Sequence, residues 1–441
     1  MKKTGSFSHI AGVLLISAIL ALLLSCSSAP KTRKIAETPS EPIVWVELGP
    51  DASVSARAIT TEPKCPRIRI DAAYYELDMA LRAAPSAAFP VSVCEFALPP
   101  GTQSARIGNQ ELPMPAAHPR KILFIGDTGC RIQTHDGKNV AQWSNDPKGW
   151  PFPKLAQYEA EVEPDLVIHL GDYLYREDPC PTGNAYCVGS PSGQNWDTWN
   201  ADFFEAAKPL LRKAPWVFVR GNHELCKRAG EGWFRFLDAG AMRACTDDTD
   251  PFVIKQDRVQ LVVLDSALAT DLKAPEDQVR IYRRQFEKIS AMKLEHAWLL
   301  THRPMWAPAV ADLSNPLAPV VSFNQTLQTA SQNHLPSGIN EVFSGHLHLF
   351  QEFHFADGRP SQIVIGNGGT TLTPSTIKDP KGIEIGGTKV DSGSTMDDFG
   401  YFTLEITRRD AWEGTVHDND GRPRLFCSGL ERGFHCTPSP N

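Results

Sequence analysis

Residues 121–130 read KILFIGDTGC, an apolar run ending on one acid, Asp127, with glycines at 126 and 129. A buried strand that ends in Gly-Asp puts a carboxylate outside the strand's carboxyl end, where open α/β sheets gather their ligand sites. One carboxylate does not hold a metal ion. Two positions on, where a histidine would often help, stands Gly129. The remainder of any site has to come from elsewhere in the chain.

Similar runs recur downstream. KILFIGD, DLVIHLGD (165–172), PWVFVRGN (215–222), VQLVVLDS (259–266), HAWLLTH (296–302) and NEVFSGH (340–346) alternate with helical stretches at 198–213 and 277–294. Such alternation predicts an α/β sheet domain, assigned here to residues 117–412. Before it, IVWVEL, RIRIDA and FPVSVCEFAL lie between Pro, Gly and Asp turns. Their short alternating pattern predicts a small β-sandwich-like domain over 42–116. Residues 413–441 are read as a C-terminal tail holding a disulfide. No internal repeat is visible.

The 441 residues are 41% hydrophobic and carry a net charge of −7, with no long run of either sign. That balance argues against nucleic acid as a partner, because phosphate-backbone binding needs a basic face. At the N-terminus, Lys2 and Lys3 precede IAGVLLISAILALLL, the length of a signal-peptide core and short for a spanning helix. LLSC at 23–26 resembles a bacterial lipobox. The resemblance implies a signal peptide at 1–25, cleavage before Cys26 and a lipid on its sulfur. It also implies an exported, membrane-anchored protein at the outer membrane or periplasmic face. Residues 26–41, small, polar and proline-containing, read as a tether. Export permits disulfides, and sequence neighbours suggest Cys65–Cys94, Cys180–Cys187, Cys226–Cys245 and Cys427–Cys436, leaving Cys130 odd. With no CxxC pair, tetrathiolate zinc is a poor alternative.

Nearly every predicted strand ends in a potential metal ligand: Asp127, Asp172, Asn222–His223, His302, and His346 with His348. Each element alone is weak, since GD ends many strands and a lone histidine is more often an ordinary polar residue. Together, strand ends of one sheet system converge in space though scattered in sequence.

In this order, GDTG, GDYLY, GNHE, LLTH and GHLH resemble the motifs of calcineurin-like metallophosphoesterases, and within them of purple acid phosphatases. The resemblance spans roughly residues 120–410. It implies a four-layer sandwich of two mixed β-sheets flanked by helices, with the small N-terminal β-rich domain appended. In most of the superfamily the first motif is Asp-x-His. Purple acid phosphatases instead carry a tyrosine three residues after the second-motif Asp, and here Tyr175 follows Asp172 at that spacing. Replacing a neutral imidazole by a phenolate favours a hard trivalent ion.

Carried over by residue, the resemblance implies a binuclear metal centre. Fe(III) would be held by Asp127, Asp172, Tyr175 and His348, and a divalent Zn, Mn or Fe by Asp172, Asn222, His302 and His346, with Asp172 bridging. His223 is the candidate for stabilising the transition state or protonating the leaving oxygen. The implied substrate is a phosphorylated small molecule, hydrolysed as a monoester. A phosphodiesterase or nucleotidase would share the core, and a non-catalytic surface binding protein is the reading from another class. An acid that orients this histidine in many superfamily members is absent at position 175, so what polarises His223 is open. His169 and Arg303 are weaker candidates. His135 and Trp306 are weaker still, and His334, His354 and His435 are read as bystanders. RPMWAPAVADL at 303–313 departs from the plant members, which carry histidines there. Oligomeric state is not legible.

Overall fold

The computed structural model describes residues 41–439 apart from 72, 136–137, 257, 311–319, 376, 378, 409–410 and 431–432. The signal segment, Cys26 and most of the tether lie outside the described residues.

Two large mixed sheets stack face to face. In the first, Lys121–Ile125 pairs parallel with Leu166–His169, which pairs parallel with Trp216–Phe218 and, beyond it, Ile43–Leu48. In the second, Gln260–Leu264, Ala297–Thr301, Ile339–Ser344 and Ser361–Ile365 run parallel in that order. The parallel strands are largely apolar because both of their faces are covered. Along 121–125 the period of two sorts the side chains. Ile122 and Phe124 enter the core between the sheets, while Leu123 and Ile125 face the helical side. Phe124 of the first sheet stacks on Phe343 of the second, ring centroids 4.4 Å apart.

Helices cover both outer faces, giving four layers. Phe152–Glu161 and the helical segment 196–211 pack on the first sheet through Leu155, Ala156, Phe203, Phe204 and Leu210. Glu276–Ala291 covers the second, burying Val279, Tyr282, Phe286 and Ile289 at helical spacing, with Glu276 and Asp277 favourably placed in its first turn.

The ladder runs through both expected domain boundaries. Val54–Thr60, Ser92–Ala97 and Ala80–Ala83 extend the first sheet beyond Ile43–Leu48. Only Arg67–Ile70, Leu77–Asp78, Ala105–Ile107 and Gln110–Glu111 form a separate four-stranded sheet. It packs against the extension through Ile68, Ile107, Val44, Val46, Ala56 and Ala58, which accounts for the sandwich-like pattern of 42–116. Residues 413–441, expected as a tail, supply most of Ala411–Asp418, Pro423–Leu430 and Gly433–Pro438 at the other edge of that sheet. All four suggested disulfides are present, Cys427 and Cys436 lying opposite each other on paired strands, and Cys130 is free and buried. Among the described residues no helix is long and apolar enough to cross a membrane.

Candidate metal centre

The parallel strands of both sheets end at one place, and all eight singled-out residues meet there. Asp127, Asp172 with Tyr175, and Asn222 with His223 follow strands of the first sheet. His302 follows Ala297–Thr301, and His346 and His348 follow Ile339–Ser344, in the second. Asp127, Asp172 and His346 adopt left-handed backbone, φ 58°, 59° and 72°. Non-glycine residues are rare there, and such strain collects at functional sites.

Tyr175 lies at the centre. Its hydroxyl is 3.0 Å from Asp127 Oδ1, 2.8 Å from Asp172 Oδ2 and 3.0 Å from His348 Nε2. The neighbouring Tyr173 points the other way, donating to the Val219 carbonyl at 3.0 Å and stacking on His169. Of two tyrosines in one aromatic turn, the structure turns only Tyr175 to the cluster. On the other side, His302 Nε2 is 3.1 Å from Asn222 Oδ1 and 3.2 Å from Asp172 Oδ2. Asp172, His302 and His346 can bring one ligand atom each within 4.8 Å of one another.

The imidazoles are oriented from behind. His302 Nδ1 faces the Leu170 carbonyl at 2.8 Å, and His348 Nδ1 faces the Thr371 carbonyl at 2.8 Å. A carbonyl only accepts, so these nitrogens carry the proton. Burial holds His348 well below the usual imidazole range, leaving its Nε2 lone pair inward, whereas at His302 burial is outweighed by Asp172, which raises it to about 9. His346 Nε2 meets Asp271 Oδ2 at 3.0 Å. This outer hydrogen bonding is what metal-ligating histidines ordinarily have.

The donor set fits cations. The Tyr175 hydroxyl has one proton for three neighbours, two of them buried carboxylates, and the inward nitrogen of His348 accepts. Burial and the neighbouring Asp172 hold the Asp127 carboxyl well above its usual range, although His302 opposes this. Burial also acts against ionisation of Asp172, but His302 and His223 outweigh it and keep that carboxyl well below its usual range. Burial, then Asp172 and Asp127, push the Tyr175 phenol up. A cation among these groups inverts that logic, favouring both carboxylates and the phenolate.

Several supporting residues were not singled out from sequence. Glu224, inside GNHE, accepts from the backbone N–H groups of Asp172, Tyr173, Leu174 and Gly221, fixing the Gly-Asp turn. Asp202, in a π-helical turn at Asn200–Phe204, accepts from the backbone of Cys130, Tyr175 and Arg176 and pairs with the Arg176 side chain. Glu177 and Arg228 flank His223. Glu177 Oε1 is 3.0 Å from His223 Nδ1, and Arg228 Nη2 lies 2.8 and 2.9 Å from the two ring nitrogens. GNHE was the available signal for Glu224; Asp202 and Asp271 have none at short range.

The weaker candidates fall outside the cluster or behind it. His169 bonds Thr128 and packs in the core. Arg303 pairs with Asp271 and approaches His346 Nε2 at 2.9 Å. Trp306 bonds Asn333 and belongs to the core under the second sheet's helices. His334 is held by the Gln332 carbonyl, and His354 sits on Phe350–Phe355. The His135 side chain lies outside the described residues.

Two stacked mixed sheets with carboxylates and imidazoles converging at their strand ends define a metallophosphoesterase-type α/β sandwich. The sequence signature of the calcineurin-like phosphoesterases matches residues 120–350, and the chain belongs to that family. Part of the chain is also similar to a purple acid phosphatase. A stretch of 135 residues is 27% identical to purple acid phosphatase 23 of Arabidopsis thaliana, covering 28% of this chain and 25% of that relative's length. Among solved structures, purple acid phosphatase PPD1 from yellow lupin (Lupinus luteus) seeds aligns with a TM-score of 0.53 at 13% identity, over 86% of this chain and 72% of that one. PhoD aligns with a TM-score of 0.52 at 13% identity, over 91% of this chain and 93% of that one. The two structures share the fold.

Proposed function

We propose that the protein is an exported, lipid-anchored phosphoesterase that hydrolyses phosphate monoesters at a binuclear metal centre. The observation that carries this is the Tyr175 hydroxyl, within 3.0 Å of Asp127, Asp172 and His348. Asp127, Asp172, Tyr175 and His348 would hold Fe(III), and Asp172, Asn222, His302 and His346 a divalent ion. When bound, the two cations supply Lewis-acid charge to the phosphoryl group and lower the pKa of a water nucleophile.

The chain's own residues do the rest. Asp127 and Asp172 provide negative charge fixed by the turn that Glu224 holds. His302 and His348 would present their Nε2 lone pairs to the cations, their other nitrogens being committed to carbonyls. His223 Nδ1 faces the Leu174 carbonyl at 3.1 Å, and its Nε2 is 3.8 Å from Asp172 Oδ2, at the edge of the cluster. From there it holds a proton for the leaving oxygen. As the water oxygen bonds to phosphorus and the ester P–O bond breaks, that proton passes to the alcohol. Four disulfides support an oxidising compartment. The lipobox-like LLSC supports the anchor.

The test is the visible absorption spectrum of the purified protein, with metal analysis and a Tyr175→Phe variant. A violet band carried by iron and lost in the variant supports a tyrosinate–Fe(III) pair. A colourless protein, fully active with Mn or Zn and indifferent to the substitution, overturns the iron assignment. Parallel rates on p-nitrophenyl phosphate and bis(p-nitrophenyl) phosphate decide between monoester and diester.

A further inference from the structure

His223 has a carboxylate partner that sequence motifs did not indicate. Position 175, three residues after Asp172, holds a tyrosine whose ring packs on the His223 imidazole with centroids 3.8 Å apart. Two residues further on, Glu177 reaches the same ring, its Oε1 3.0 Å from Nδ1, a nitrogen that also faces the Leu174 carbonyl at 3.1 Å. That oxygen also accepts from Arg228 Nε at 2.5 Å. Arg228 in turn lies against the imidazole and reaches the Asn222 carbonyl with Nη1 at 3.3 Å.

The arrangement is built rather than incidental. The backbone N–H of Glu177 is tied to the Ile132 carbonyl at 3.0 Å, and the Ala229 N–H to the His223 carbonyl at 3.0 Å. The side chains of Glu177 and Arg228 are about four-fifths buried, and that of His223 is 6% exposed. Exposed ion pairs fix little, because long side chains keep their rotamer freedom. Here one carboxylate oxygen serves an imidazole and a guanidinium at once, and both elements are anchored through the main chain.

We propose that Glu177 is the positioning residue of His223, with Arg228 as its brace. Resting on the phosphoesterase reading above, this assigns Glu177, alongside the Leu174 carbonyl, the task of holding the Nδ1 edge of the ring and turning Nε2 towards the leaving group. The logic is that of any base oriented by a third group. Glu177 itself touches no reacting atom.

Leaving-group dependence tests it. Protonation of the departing oxygen matters for an alkoxide and little for p-nitrophenolate. Glu177→Gln is nearly isosteric. It should lower kcat on glycerol 2-phosphate by about tenfold to a hundredfold, with little effect on KM and a much smaller loss on p-nitrophenyl phosphate. Arg228→Lys, which keeps the charge but loses the fork, should shift the same ratio in the same direction by less. On a His223→Asn background, Glu177→Gln should cost nothing further, because there is no ring left to orient. An equal loss on both esters, no loss, or an undiminished loss on the His223→Asn background would overturn the assignment. A wild-type protein inactive on both esters would instead sink the phosphoesterase reading, and this inference with it.

Discussion

A Cβ placed on Gly129 would lie 2.9 Å from Cδ2 of Tyr175, and 2.6 Å from the Tyr173 carbonyl oxygen. The two positions are complementary: the space a side chain at 129 would need is filled by the tyrosine and its backbone. Because one obstacle is main chain, relief by a side-chain rotation is not available. Gly129→Ala should therefore destabilise the protein by about 1–3 kcal/mol and displace Tyr175 from Asp127. Denaturant unfolding measures the first effect. A metal titration measures the second, and wild-type affinity in the variant would contradict it.

The Gly-Asp turn hangs on Glu224. Its carboxylate accepts from four backbone N–H groups across two chain segments, and removing it leaves buried donors unpaired. Glu224→Ala should cost about 3–5 kcal/mol, the scale of a broken buried charged network, and lower metal affinity although Glu224 is not proposed as a ligand. Glu224→Gln, which retains one acceptor oxygen, should fall between. Thermal unfolding with and without metal ranks the three proteins. Alanine and glutamine variants of equal stability would show that the oxygen is unimportant.

Asp127 and Asp172 set the response to metal removal. Burial and the charge of Asp172 raise the cost of ionising Asp127. Without cations Asp127 is a liability, and with them it would be a ligand. Asp127→Asn should thus unfold at a higher temperature than wild type in chelator, and lose most of the stabilisation that wild type gains on metal addition. That gain should be about 3–4 kcal/mol at a hundred to a thousand times the dissociation constant. Calorimetry in both states reads the crossover. Wild type exceeding the variant in chelator would count against it.

Far from the site, two buried glutamates give stability a pH dependence of their own. Burial, with each other's charge contributing at Glu341, pushes the carboxyls of Glu341 and Glu352 up to about 8. The folded state keeps their protons while the unfolded chain releases them near pH 4.3. The unfolded state therefore binds fewer protons through this window, and stability falls as pH rises from about 4.5 towards 8. The melting temperature should drop across that range, and Glu341→Gln with Glu352→Gln should flatten the drop. A profile unaltered by both substitutions would refute this.

Much of the site was legible because each of its proposed ligands but Tyr175 follows the end of an apolar run. A strand's period and its terminus are local properties of the chain. Asp127, Asp172, Asn222, His302, His346 and His348 could be picked out before any fold was known, and Tyr175 by its distance from Asp172. The helix at 276–291 and the disulfide pairs were likewise visible at short range.

What the sequence by itself determined was the repeating strand–helix order, the polar groups at its strand ends, and the glycine that leaves room for a tyrosine. Tertiary structure alone decided which carboxylates stand behind them. Asp271 reaches His346 across 75 residues, and Glu177 reaches His223 across 46, with no period or motif to mark either. It also decided that strands within 42–116 and 413–441 extend the first sheet, since Glu47 pairs with Trp216 and Gly414 with Leu404 through backbone groups that every residue carries. Backbone hydrogen bonding is blind to side-chain identity, so a sheet's extent is settled only when the strands meet.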